Sequence, residues 1–130
     1  MLLDPKIVAK FWLSNWDEDT TKREKELNSW VSDLMMTAMY KDAEYLLAIV
    51  EAIHDADSSQ KRIEVFAAGP VEDLLSYHGP VVIERIEKKA KSDVKFAQVL
   101  GGVWQNDMSD EIWNRVKAVR DTSIWTDARN

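Results

Sequence analysis

The sequence predicts an all-α fold: seven to eight short helices in stacked antiparallel hairpins, with a helical-repeat character. Three observations predict it. Apolar residues recur at three-and-four spacing along almost the whole chain. The breaks between these stripes carry capping and helix-ending residues. No segment sustains the alternation of a strand, and the best candidate, VVI at residues 81–83, continues into helical spacing.

In the first helix Asp4 can cap, Pro5 suits the first helical position, and Val8, Phe11, Trp12 and Trp16 form the apolar series. The second starts in TTKREKE, where Thr20 or Thr21 offers a cap. Leu27, Trp30, Val31, Leu34, Met35 and Ala38 then repeat across one face. The third spans residues 42–56, with Ala43, Leu46, Leu47, Val50 and Ile53 on one stripe, until DADSS breaks the pattern. The fourth, residues 59–68, carries Ile63, Phe66 and Ala67. Gly69 is expected to end it in a left-handed conformation and Pro70 to open the fifth, where Val71, Leu74, Leu75 and His78 share a face. Gly79-Pro80 repeats that stop and start before the sixth, which shows Val82, Ile83, Ile86 and Ala90. After Ser92-Asp93 the seventh carries Phe96, Val99, Leu100 and Val103. Ser109 or Asp110 caps the last, with Ile112, Val116 and Val119 inward. In the tail DTSIWTDARN, Trp125 argues that part of the segment packs.

A shift of 33 residues lays Val50 to Ile53 over Ile83 to Ile86, Ser59 over Ser92, Phe66 over Val99 and Gly69 over Gly102. Stacked helical hairpins have repeats of this length. Shared amphipathicity explains the match equally well, so it suggests stacking without requiring a solenoid.

At 130 residues the chain is expected to form one domain, residues 1–130, and its 45% hydrophobic content can supply a core. Cysteine is absent, which excludes disulfides, a thiolate nucleophile and Cys-ligated zinc. The start MLLDPK lacks the pattern of a signal peptide, and no apolar run approaches the ~20 residues of a membrane span. A cytoplasmic location without membrane attachment is expected. The net charge of −6 disfavours nucleic acid, whose phosphates attract clustered Lys and Arg. The basic segment from Arg85 to Lys95 also carries Glu87 and Asp93 and reads as a solvated helix face.

Three stretches carry a resemblance: AAGPVEDLLSYHG at residues 67–79, then VIERIEKKAKSD, then FAQVLGGVWQNDMSDEIWNRV. Together they resemble an uncharacterised bacterial family, the domain of unknown function numbered 6869. An AGPLEDLL-like stretch, HG, LGGVW and a final tryptophan-bearing helix mark that family. The likeness covers roughly residues 67–120, and the amino-terminal half fits more loosely through its tryptophan-bearing helices. It implies a small helical domain and brings no activity, so no catalytic residue is carried over.

Few residues suggest chemistry. Glu72 and Asp73 are adjacent and so diverge on a helix, where their place in a first turn suits the helix dipole. His78 ends an apolar stripe. Asp73, Ser76 and His78 are the residue types of a triad, but without a nucleophile elbow. His54 with Asp55 and Asp57 does not make a metal site, because consecutive acids at a helix end serve as caps; no metal is expected. Phosphate-loop patterns are absent, and no cofactor is expected. Gly101-Gly102 suits a helix end or close packing.

The leading expectation is a non-catalytic protein-binding domain, an immunity or antitoxin-like protein that neutralises a bacterial toxin by direct contact. Its partner would be a protein, a basic toxin being the expected class. The partner-binding candidates are Asp17, Glu18 and Asp19, then Trp104, Asp107, Asp110, Glu111 and Trp113. An exposed tryptophan beside acids makes a good anchor. Two alternatives stand beside it. One is a ligand-binding domain or enzyme centred between Gly69 and Gly79 and using Glu72, Asp73 and His78. The other is a helical scaffold or oligomerisation module.

Overall fold

All regular secondary structure is helical in the computed structural model, which describes residues 2–125; no strand occurs among them. The elements are α1 (Pro5–Asn15), α2 (Lys22–Leu27), α3 (Trp30–Lys41), α4 (Ala43–Ala56), α5 (Gln60–Phe66), a π segment (Ala67–Val71), α6 (Glu72–Ser92), α7 (Val94–Gly101) and α8 (Asp110–Val119). The chain divides into two compact units, Met1–Asp57 and Ser58–Asn130. The boundary falls in DADSS, which the sequence marks only as a helix break.

In the first unit, the Asp4 carboxylate accepts the Lys6 N–H and Pro5 opens α1. Thr21 and Glu24 form a reciprocal capping box on α2. The single second helix of the sequence reading is in fact two, because Asn28 and Ser29 interrupt it. Asn and Ser are among the weaker helix formers, which suits them to such a break. Leu27 is consequently off the core face and exposed, and Trp16, which ends α1 as its cap residue, is exposed as well. The core forms where α1 and α4 pack along each other with α3 on both. It buries Val8, Trp12, Val31, Leu46, Val50 and Ile53. Phe11 and Trp30 meet edge to face at 5.6 Å, and the Tyr45 hydroxyl donates to the Leu3 carbonyl at 2.7 Å.

In the second unit both Gly-Pro pairs behave differently from the expectation. Gly69 has no positive φ, and helix continues from α5 through the π segment into α6. The Glu72 N–H donates to the Ala67 carbonyl, a widened-turn bond. A wider turn absorbs Pro70, whose ring carries no N–H, without ending the helix. The second pair is absorbed by a kink: His78 has φ −130° and ψ 18° just before Gly79-Pro80, and α6 resumes beyond it. There are thus fewer separate helices than the punctuation predicts. Helix α6 packs on α7 and α8, and α7 also meets α5 and the π segment. Leu74, Leu75, Ile83, Ile86, Phe96 and Leu100 are fully buried. At the α6–α8 crossing a Cβ on Gly79 would stand 3.0 Å from Ile112 Cγ2, so this glycine sets the closeness of approach. Arg115 and Glu87 bridge the same pair of helices with bonds of 2.6 and 3.0 Å.

The tail after α8 folds back onto α7. The Asp121 N–H donates to the Ala97 carbonyl and the Trp125 indole N–H to the Gln98 carbonyl, each at 2.9 Å. Gly101 and Gly102 make room for this return. A Cβ on Gly101 would collide with the Asp121 carbonyl, and one on Gly102 with the Trp125 ring. Close packing is therefore the reason for the double glycine. The remaining tail, residues 126–130, lies outside the described residues.

Candidate functional site

The loop between α7 and α8, residues 102–109, presents Trp104, which is 48% exposed. Its backbone is held from both ends. Glu72, in the first turn of α6, accepts the Trp104 N–H at 2.9 Å through Oε1 and the Asn106 side-chain amide at 3.4 Å through Oε2. Asn106 has φ 46°, a left-handed conformation that Asn tolerates better than most residues. Gln105 donates to the Met108 carbonyl at 3.2 Å and to Asp110 at 2.8 Å, and Met108 is buried beneath the loop. Asp107, Asp110 and Glu111 are exposed around this frame. A half-exposed aromatic residue thus stands on a loop with a clamped backbone, and the same segment carries exposed acids at Asp107, Asp110 and Glu111.

Trp113, the other expected anchor, does not share this surface. It is 8% exposed, with Lys117 and Arg120 lying over its ring at 5.8 and 5.2 Å. Its place on the inner face of α8 makes it a core residue, and this corrects its assignment as a partner contact. Asp17, Glu18 and Asp19 are exposed between α1 and α2, where the Asp17 carboxylate accepts the Asp19 N–H at 3.1 Å. They belong to the first unit and Trp104 to the second.

The residues of the ligand-binding alternative have separate environments. Both Glu72 oxygens serve the Trp104 loop. Burial pushes the Glu72 carboxyl above its ordinary range and the Asp73 charge adds to this, while the Trp104 and Asn106 donors pull it down. Burial alone pushes Asp73 up. His78 sits at the helix kink. Ser76 Oγ is buried and accepts or donates no hydrogen bond, so no base stands against it. His54 is buried on α4, whereas Asp55 is exposed. No cluster of three potential metal ligands exists among the described residues.

Two features escaped the sequence reading. The first is an open groove of about 330 Å³ in the first unit, lined by Leu2, Leu34, Thr37, Ala38, Lys41, Asp42 and Tyr45. The i, i+3, i+4, i+7 spacing of Leu34, Thr37, Ala38 and Lys41 was a visible signal, but it reads as core until the opposite wall is known. The second is charge segregation. Met1–Asp57 carries 12 acidic and six basic residues, whereas Ser58–Asn130 carries 11 of each. The whole net charge of −6 therefore belongs to the first unit.

The described residues define a small all-helical protein with a clamped, tryptophan-bearing loop in its second unit. The chain belongs to a family of unknown function, DUF6869, whose model matches residues 18–124. Comparison with curated proteins and with solved structures gives no match. No helix among the described residues is long and apolar enough to cross a membrane.

Proposed function

We propose that the protein is a non-catalytic protein-binding domain of the immunity or antitoxin type, acting in the cytoplasm and neutralising a basic bacterial toxin by direct contact. The observation that carries this reading is the Trp104 loop. An exposed indole on a loop whose backbone Glu72 clamps, with exposed Asp107, Asp110 and Glu111 within seven residues of it in sequence, has the composition of an interface anchor. Acidic surroundings favour a basic partner by steering its approach and penalising like-charged competitors. The exposed Asp17 to Asp19 run is a second acidic contact available to such a partner.

The experiment is capture of partners from the source cells by the tagged chain, with identification by mass spectrometry, then co-expression with the captured protein. A basic protein whose toxicity is relieved by the native chain and not by Trp104→Ala is the expected result. Capture of no partner, or neutralisation unaffected by Trp104→Ala, would overturn the reading.

A further inference from the structure

The groove of the first unit has its own chemistry. One stripe of α3 forms its long wall, giving a trough about two helical turns in length. Ala38 and the Tyr45 ring are the buried floor, Leu34 is half-buried, and exposed Leu2 closes the opposite side. The Tyr45 ring is fixed by its 2.7 Å hydrogen bond to the Leu3 carbonyl. Two carboxylates stand near the Tyr45 end: Asp42, in the lining, and Asp4, whose charge acts on the Tyr45 hydroxyl. Each commits one oxygen to a helix cap, Asp4 Oδ1 to the Lys6 N–H at 2.9 Å and Asp42 Oδ1 to the Tyr45 N–H at 3.0 Å. The second oxygen of each remains available to a cation. Lys41 is the cation in the lining; it is exposed, and its long stem can swing to solvent.

We propose that this groove receives a lysine or arginine side chain from a basic protein partner, the aliphatic stem on Leu34 and Ala38 and the cation at Asp42 and Asp4 beside the Tyr45 ring. Charge complementarity selects this occupant. The unit has twice as many acidic as basic residues, 12 against six. An acidic side chain would meet two carboxylates, and a purely apolar one would desolvate them without a counter-charge. A basic side chain satisfies both parts of the trough, because its stem is apolar and its head is charged and drawn to aromatic rings. The inference rests on the protein-binding reading but not on Trp104, which lies in the other unit.

The test is a nuclear magnetic resonance titration of the isotope-labelled full chain with three synthetic amphipathic helical peptides. One repeats Leu and Lys, the second is the same peptide with every lysine acetylated, and the third repeats Leu and Glu. The Leu–Lys peptide is expected to shift the amides of residues 34–45 saturably. Acetylation, or Thr37→Trp on the exposed rim, should each weaken binding by about tenfold, the loss of one well-placed contact. Asp42→Asn keeps the cap but removes the charge, and should weaken binding several-fold. Neutralising Asp17, Glu18 and Asp19 together should weaken it less than Asp42→Asn does. The proposal is overturned if Thr37→Trp binds as tightly as the native chain, if the acetylated or Leu–Glu peptide binds equally well, or if the distant triple variant has the larger effect. Trp104→Ala separates the two readings. Partner capture that depends on Trp104 but not on Thr37 would sink the groove alone, whereas absence of any captured partner would sink the protein-binding reading.

Discussion

Gly102→Ala is expected to destabilise the protein by about 2 kcal/mol, within the ~1–3 kcal/mol range of overpacking. The new methyl would overlap Cζ2 and Cη2 of Trp125 and stand 2.9 Å from Cε2. Strain is relieved if the ring leaves. That route loses the indole N–H bond to the Gln98 carbonyl, worth ~1 kcal/mol. It also re-exposes roughly 100 Å² of ring, worth ~2.5 kcal/mol at ~25 cal/mol per Å². Departure is therefore no easier than strain, and the loss is set by overpacking, near the middle of its range. The backbone itself does not object to alanine, because Gly102 has φ −91° and ψ −3°. In a Trp125→Ala background the same substitution should therefore be neutral or stabilising by ~0.4–1 kcal/mol, through the smaller entropy of the unfolded chain. Urea unfolding followed by circular dichroism, with all four members of the cycle, measures the coupling. Equal costs of Gly102→Ala in both backgrounds would refute the reasoning. Gly101→Ala makes the contrast: its methyl meets the Asp121 carbonyl first, so removing Trp125 should not restore its stability.

Trp104→Ala should cost no more than ~1–2 kcal/mol in urea unfolding, because the indole is 48% exposed and the residue's backbone N–H bond to Glu72 survives the substitution. A larger loss would mean that the indole is a structural group. Glu72 and Asp73 both have raised folded-state carboxyl values, so their contribution favours the fold most at acid pH and is lost as pH rises through the carboxylate range toward neutrality. Asp73→Asn should flatten that decline in a pH series of unfolding curves, and a decline left unchanged would count against the assignment. Glu87 has the opposite sign: its bond to Arg115 holds its carboxyl low, so its contribution is present above the ordinary range and lost on acidification. Arg115→Ala should reduce acid sensitivity in the same series. Gly79→Ala should cost ~1–3 kcal/mol by overpacking, and in an Ile112→Ala background that cost should shrink, since Ile112 Cγ1 and Cγ2, 3.1 and 3.0 Å from the added methyl, are then gone.

The sequence by itself determined the all-helical class, the family and most of the caps. Asp4, Thr21 and Ser109, expected as caps, each accept a backbone N–H at a helix start, and so do Asp42 and Asp93, which the sequence marked only as a helix start and a break. Caps and apolar periodicity are local, so they are legible without knowing what lies across the core. Local signals misled where tertiary packing had the deciding vote. Gly69-Pro70 and Gly79-Pro80 read as helix ends, yet a widened turn and a kink carry the chain through both. Trp104 and Trp113 were equal anchor candidates until the structure exposed one and buried the other under Lys117 and Arg120. Glu72 read as a helix-dipole residue, and only the fold brings Trp104 and Asn106 to its carboxylate. The same holds for the Gly101-Gly102 seat of the returning tail and for the groove beside Tyr45. Each depends on pairs distant in sequence, and a periodic pattern reports which face is apolar but not what meets it.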